Sequence, residues 1–107
     1  MKVYAIFYNY NNEMQFEGIT TDFKKWLINH NKERMSEQCY IKTEHLDLLF
    51  KEFKLEDLSA CGKNVIRFLE DLGYDEEDIG IIYDNSSCAI EDEDEFTIYE
   101  DYINVNN

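Results

Sequence analysis

Residues 2–19 read KVYAIFYNYNNEMQFEGI, and they carry the clearest secondary-structure signal in the chain. Lys2–Tyr8 alternates in polarity and is rich in Val, Ile, Phe and Tyr, which is typical of a strand. Asn9–Asn12 is a turn signal, because Asn tolerates left-handed backbone angles. Glu13–Ile19 alternates again, with Met14, Phe16 and Gly18 on one side. The stretch therefore predicts a β-hairpin.

Three helices and further strands are predicted after the hairpin. Thr20–Asp22 supplies capping side chains for a first helix over residues 22–33, and Thr43 caps a second helix. Gly73 stands at the C-terminal cap of a third helix. The remaining strand candidates are Tyr40–Ile41, the pair Ile79–Tyr83 and Cys88–Ile90 around a turn signal at residues 84–87, Phe96–Tyr99, and Tyr102–Val105.

The order of these elements indicates the fold class. Strands at both ends with helices between them lack the strand–helix alternation of a parallel sheet. We expect an α+β fold, with an antiparallel sheet of four to six strands and about three helices packed on one face. Residues 1–107 should form a single domain, with 1–69 electroneutral and 70–107 acidic and strand-rich. The expected core comprises Ile6, Phe16, Phe23, Trp26, Leu27, Leu46, Leu49, Phe50, Phe53, Val65, Ile66, Leu69 and Leu72.

Charge is distributed very unevenly along the chain. Residues 1–69 hold all ten Lys and Arg and ten of the 24 Asp and Glu, so the net charge of −14 lies entirely in residues 70–107. Such a charge excludes direct nucleic-acid binding through phosphate contacts and disfavours anionic membranes. The acidic part also contains many Ile and Tyr residues, which are rare in disordered acidic tails, so we expect it to be folded.

Composition also bears on origin and location. Residues encoded by AT-rich codons (Phe, Tyr, Met, Ile, Asn and Lys) number 47, against nine encoded by GC-rich codons. This bias is typical of low-GC bacteria, their phages and their plasmids. No apolar run approaches a membrane span, and Met1–Val3 opens like a strand rather than a signal peptide. We expect a phage- or mobile-element-encoded protein in the cytoplasm of a bacterial host.

No pattern of a catalytic or metal site is recognisable. The cysteines Cys39, Cys61 and Cys88 are odd in number and lack metal-ligand spacing. His30 and His45 lie on different predicted helices, and spacing gives no support to a nucleophilic pair of either with Cys39. We therefore expect no enzyme activity and no cofactor.

Two acidic runs, residues 75–78 and 91–95, depart from a calcium-binding loop. In the EF-hand pattern, Ile79 would occupy a ligand position, and Ser86 would stand where the last Glu belongs. We expect no dedicated metal site in either run.

Concentrated carboxylates repel one another, so an ordered acidic surface indicates a use for its field. One use is to imitate nucleic acid. A DNA strand carries a charge every ~3.4 Å and an extended chain advances ~3.3 Å per residue, so an extended Glu91–Glu95 would match that spacing. Carboxylates bind Arg much as phosphates do, and exposed Tyr would provide anchors. The predicted partner-binding residues are Asp75, Glu76, Glu77, Asp78, Tyr83, Asp84, Glu91, Asp92, Glu93, Asp94, Glu95, Tyr99, Glu100, Asp101 and Tyr102.

The opening of the chain adds a resemblance. Val3-Tyr4-Ala5, Tyr10-Asn11 and Phe16-Glu17-Gly18-Ile19, followed by Asp22-Phe23 at the start of a helix, are similar to the start of the antirestriction DNA mimics carried on mobile elements. In size, composition and acidity the chain also resembles phage-encoded anti-CRISPR proteins. The resemblance implies an inhibitor of a host defence nuclease, either a CRISPR–Cas effector or a restriction enzyme. It assigns no role to any residue.

Two other functions fit the same charge distribution. An immunity protein against a basic nuclease toxin needs a similar acidic face for a smaller partner. An acidic phage structural or housekeeping domain needs its charge for solubility alone.

Overall fold

The computed structural model describes residues 1–102 and contains, in that range, a three-stranded sheet, five α-helices and one 3₁₀ turn. The strands are β1 (Lys2–Tyr10), β2 (Glu13–Thr20) and β3 (Phe96–Tyr102). The helices are α1 (Phe23–Cys39), α2 (Thr43–Glu52), α3 (Leu55–Ala60), α4 (Lys63–Asp71) and α5 (Glu76–Ala89), and the 3₁₀ turn spans Glu93–Glu95.

The predicted hairpin is present and forms one half of the sheet. β1 pairs antiparallel with β2 and with β3, so the strand order is β2-β1-β3. Asn11 and Asn12 make the two-residue turn with φ values of 46° and 67°. Positive φ at both positions suits the right-handed twist of the flanking strands. A register shift between Ile6 and Phe7 makes Glu17 an extra residue on β2.

The chain is α+β, but the predicted four to six strands and about three helices are wrong. The main cause is residues 76–89, where a predicted hairpin is the single helix α5. Asp75 caps this helix, since its Oδ1 accepts a hydrogen bond from the Asp78 N–H at 2.8 Å. Ile82, Ser86 and Ala89 then recur at helical spacing and are buried. Local capping and burial therefore outweigh the turn signal at residues 84–87.

Two further strand candidates have other outcomes. Tyr40–Ile41 is not a strand: Tyr40 has a φ of 58°, which ends α1, and Ile41 is buried in the connection to α2. The candidate Tyr102–Val105 lies outside the described residues beyond Tyr102. The predicted strand Phe96–Tyr99 is present as the first part of β3.

The chain divides into two compact units. The sheet unit comprises Met1–Leu27 and the chain from Asp92 onward, and the helical unit comprises Ile28–Glu91. Within the sheet unit, Trp26 meets Phe96 edge to face at 5.4 Å between ring centroids, and Ile6 is fully buried. The helical unit has a core of its own, formed by Met35, Cys39, Ile41, Leu46, Leu49, Leu58, Cys61, Val65, Leu69, Ile82, Ala89 and Ile90.

Most of the predicted core is at least half-buried, but Phe16 is exposed. Ile6, Leu27, Leu46, Leu49, Val65 and Leu69 are buried, and Phe23, Trp26, Phe50, Phe53, Ile66 and Leu72 are half-buried. Phe16 lies on β2, which is an edge strand of the sheet in the described range. Its side of the sheet is the one that the aromatic rings of α1 do not cover.

Within residues 1–102, no helix combines the length and apolar character that crossing a membrane requires.

Candidate functional site: acidic and aromatic surfaces

Nearly all the carboxylates of the acidic segment face solvent. Of the 14 Asp and Glu residues after residue 69, all but Glu91 have exposed side chains. No Lys or Arg lies in the same segment of the sequence to neutralise them. Two of the exposed acids, Glu70 and Asp71, end α4 in the helical unit. The others form a group at the start of and along α5, also in the helical unit, and a second group on the 3₁₀ turn and β3 in the sheet unit.

The first group, here named the α5 acidic surface, consists of Asp75, Glu76, Glu77, Asp78, Tyr83 and Asp84. Asp75 caps the helix, and the three acids that follow it occupy its first turn. The partial positive charge of a helix N-terminus stabilises carboxylates there, so these four acids also contribute to folding. Asp84 and Tyr83 lie two turns later, and both are exposed.

The second group, here named the 3₁₀ acidic surface, consists of Asp92, Glu93, Asp94 and Glu95. The predicted extended backbone of this run is wrong, because Glu93–Glu95 form a 3₁₀ turn closed by the Glu95 N–H donating to the Asp92 carbonyl at 3.1 Å. A 3₁₀ turn rises only ~2.0 Å per residue, so these carboxylates are more crowded than the phosphates of one strand. The charges of this run therefore do not repeat at the spacing of the phosphates of a DNA strand, although the local charge density remains high.

The predicted residues on β3 point to both faces of the sheet. Tyr99 and Asp101 pair with Ala5 and Val3, and Glu100 and Tyr102 alternate with them on the opposite face. Glu100 also forms an ion pair with Lys2, whose Nζ lies 3.2 Å from Glu100 Oε1. This pair raises the pKa of Lys2 above its ordinary value. The four residues therefore do not form one contact surface.

Glu91 differs from the other predicted binding residues because its side chain lies inside the helical unit. Its Oε1 is 2.7 Å from His30 Nε2 and 3.1 Å from Arg34 Nε. The same Arg34 Nε donates to the Ala89 carbonyl at 2.8 Å, at the end of α5. Glu91 is buried and joins α1 to the end of α5 through these contacts, unlike the exposed acids that follow it in the sequence.

Sequence reasoning missed an apolar surface on the sheet. Here named the apolar sheet face, it consists of Met14, Phe16, Ile19 and Tyr99, all exposed, around the half-buried ring of Phe7. Phe7 meets Phe16 at 5.5 Å and Tyr99 at 5.6 Å between ring centroids, edge to face in both pairs. The available signal was the presence of large apolar residues on both faces of the hairpin, which a single covering layer cannot bury.

The cysteines show no sign of activation. Burial raises the pKa of Cys39 to about 11, and burial also raises the pKa of Cys61. A nucleophilic cysteine needs the opposite shift, because the thiolate is the reactive form. Cys88 is exposed. In the described part of the chain, no three His, Cys, Asp or Glu side chains converge in an arrangement that could hold a metal ion.

Comparison with known proteins found no relative of this chain. No protein family matches the sequence, and no curated protein or solved structure shows significant similarity to it.

Proposed function

We propose that this protein is a non-enzymatic inhibitor that binds a basic, nucleic-acid-binding host defence nuclease, a CRISPR–Cas effector, in place of its nucleic acid. The observation that supports the proposal is the exposure of 13 carboxylates after residue 69, in a segment without any Lys or Arg. Neighbouring carboxylates on α5, and likewise those on the 3₁₀ turn, repel one another, and this repulsion lowers the stability of the fold. A partner groove lined with Arg and Lys relieves that repulsion on binding.

The chemistry of the exposed groups suits such a groove. Carboxylates accept paired hydrogen bonds from Arg, as phosphate oxygens do. Negative potential is provided locally by the carboxylates of the 3₁₀ acidic surface and of the α5 acidic surface. This potential does not require the carboxylates to repeat at the spacing of the phosphates in a DNA strand. Electrostatic attraction of this kind speeds association and selects basic partners.

The test is inhibition of DNA cleavage by a panel of purified, guide-loaded CRISPR effector nucleases. We expect at least one effector to be inhibited, with the inhibition weakened by added salt and by excess target DNA. Salt acts because exposed charges are screened beyond about 10 Å at 0.1 M ionic strength. The protein itself should not shift a labelled DNA duplex in a gel.

Charge-reversal variants locate the surface. Asp92→Lys with Asp94→Lys and Glu77→Lys with Asp84→Lys each reverse two exposed acids in the acidic segment. Glu33→Lys with Glu37→Lys is the matched control, because both acids are exposed on α1 in the electroneutral part of the chain. We expect inhibition to be lost in one or both of the first two variants and retained in the control.

Two results would contradict the proposal. One is equal inhibition by all three variants, which would remove the acidic surfaces from the interface. The other is failure to inhibit any effector while a basic toxin ribonuclease in the same panel is inhibited, which would favour the immunity protein.

A further inference from the structure

One face of the sheet exposes a group of large apolar side chains. Met14 is 52% exposed, Phe16 57%, Ile19 61% and Tyr99 51%. The strand register places them together, because Phe16 pairs with Phe7 while Ile19 and Tyr99 both pair with Ala5. Adjacent exposed apolar side chains are typical of an interaction surface, whereas single scattered ones are ordinary on soluble proteins.

The opposite face of the same sheet is covered by aromatic side chains of α1. Phe23 and Trp26 of α1 pack on Phe96, at 6.3 Å and 5.4 Å between ring centroids. A methyl group placed on Gly18 would lie 3.8 Å from Trp26 Nε1, so the indole lies close to β2 as well. Ile6, which pairs with Gly18 on β2 and with Ile98 on β3, is fully buried. Among residues 1–102, no aromatic ring of α1 shields Phe16 or Tyr99 in this way, and both side chains are exposed.

The exposed rings are held in place before any partner arrives. Phe7 contacts both Phe16 and Tyr99 edge to face, and the Tyr99 hydroxyl reaches across β1 to within 4.0 Å of the Met14 sulfur. Ordered aromatic side chains lose little conformational entropy on binding, which favours them as anchors.

We infer that the apolar sheet face docks on a basic protein surface in which apolar side chains are surrounded by Arg and Lys. The surroundings of the face argue for this occupant. Asp101 lies on the same face of β3 as Tyr99, and Glu17 is exposed at the bulge beside Phe16. An apolar centre with a charged rim is the usual anatomy of a protein interface, and the sign of this rim selects cations.

A second copy of the chain is a poor occupant for the same reason. Two copies would bring together rims of like charge on molecules that each carry −14. The inference rests on the proposed function insofar as it takes the partner to be a basic protein. It adds that apolar contacts at this face, and not the acids alone, provide the affinity.

Two synthetic twelve-residue peptides test this division of roles. Both carry six arginines, alternating with six leucines in one peptide and with six serines in the other. We expect the Arg–Leu peptide to bind the full chain about tenfold more tightly than the Arg–Ser peptide in fluorescence anisotropy. Phe16→Thr with Tyr99→Thr should remove that preference while leaving Arg–Ser binding unchanged, and Thr retains the β propensity of both sites.

Two controls accompany these variants. Tyr10→Thr removes an aromatic residue that is 60% exposed on β1 and alternates with Phe7, so it faces the other side of the sheet. The preference should survive this change. In the unaltered protein, the methyl resonance of Met14 should shift on adding the Arg–Leu peptide while that of the buried Met35 should not, which needs no variant to fold.

Several outcomes would overturn the inference. Equal binding of both peptides, an equal loss of preference in the Tyr10 variant, or an unmoved Met14 methyl signal would each do so. Sedimentation showing a dimer that Phe16→Thr dissociates would assign the face to a second copy instead. Equal peptide binding alongside nuclease inhibition would overturn the docking surface and leave the proposed function standing. Tighter binding of the Arg–Leu peptide without inhibition of any nuclease would support the docking surface and overturn the proposed function.

Discussion

The side-chain amide of Asn31 holds the backbone of Glu91 through two hydrogen bonds. Asn31 Nδ2 donates to the Glu91 carbonyl at 2.9 Å, and Asn31 Oδ1 accepts from the Glu91 N–H at 2.7 Å. Asn31 is fully buried. The pair joins α1 to the chain that leaves α5, and it sets the Glu91 carboxylate against His30 and Arg34.

Removing this amide should destabilise the fold strongly. We expect Asn31→Ala to lower the free energy of unfolding by about 2–4 kcal/mol, because two buried backbone groups lose their partners. Urea denaturation gives the value. Asn29→Ala is the matched control, since Asn29 is exposed on the same helix, and it should change stability by no more than about 0.5 kcal/mol. Equal effects of the two substitutions would show that the amide contributes nothing.

Glu91 and Asp92 are neighbours in one acidic run with opposite environments. Glu91→Lys should cost about 3–5 kcal/mol of stability, because it places a cation beside Arg34 in a largely buried position. Asp92→Lys should leave stability unchanged or raised, since Asp92 is exposed and its side chain caps nothing. Thermal denaturation of the two variants compares them directly. If both variants had the same melting temperature as the unaltered protein, the assignment of Glu91 to the interior would be wrong.

Two adjacent leucines on α2 provide a second matched pair. Leu49 is fully buried in the core of the helical unit, whereas Leu48 is 45% exposed. Leu49→Ala should cost about 2–5 kcal/mol through lost burial and the cavity left behind. Leu48→Ala should cost about 0.5 kcal/mol, as is usual for surface positions. A reversed order in chemical denaturation would mean that the face of α2 is wrongly assigned.

The three thiols should differ sharply in reactivity. At pH 8 we expect Cys88 to react quickly with a thiol-specific disulfide reagent, because it is exposed. Cys39 and Cys61 should react only on unfolding, because burial protects them and raises the pKa of both. Counting labelled thiols by mass spectrometry with and without urea checks this. Rapid labelling of all three in the folded protein would contradict it.

The raised thiol pKa also predicts a loss of stability in alkali. The unfolded Cys39 thiol ionises near its ordinary pKa of 9.0, whereas the folded one resists ionisation until pH about 11. The folded state is therefore favoured fully below pH 9 and progressively less as pH rises toward 11. The measurement is the slope of the free energy of unfolding against pH in this range. We expect the decrease with pH to be shallower in the Cys39→Ala variant than in the unaltered protein. An unchanged slope would show that this thiol does not contribute.

The difference between the predicted and observed folds has a local cause at α5. Residues 79–83 are rich in Ile, and residues 84–87 carry Asp, Asn and Ser, so the segment matches both a hairpin and a helix of the same length. Asp75 decides between them by capping the helix, and the burial of Ile82, Ser86 and Ala89 completes it. Periodicity over so short an apolar run could not have separated the two.

The sequence alone determined the features that depend on neighbouring residues and on charge. The alternating pattern with Asn11-Asn12 specified the hairpin, and the apolar stripe of α2 specified its buried face. The clustering of acids without bases determined that most of them are exposed, because burying unpaired carboxylates is too costly.

Tertiary structure decided which of several equivalent local patterns is buried. Alternation divides β2 into two sides but does not say which side another element covers, so Phe16 was predicted in the core and is exposed. Likewise, the sequence around Glu91 does not distinguish it from the neighbouring acids. It is buried because it contacts His30 and Arg34, which lie about sixty residues earlier in the chain. The free energy of burial depends on partners brought together by folding, and those partners are distant in sequence.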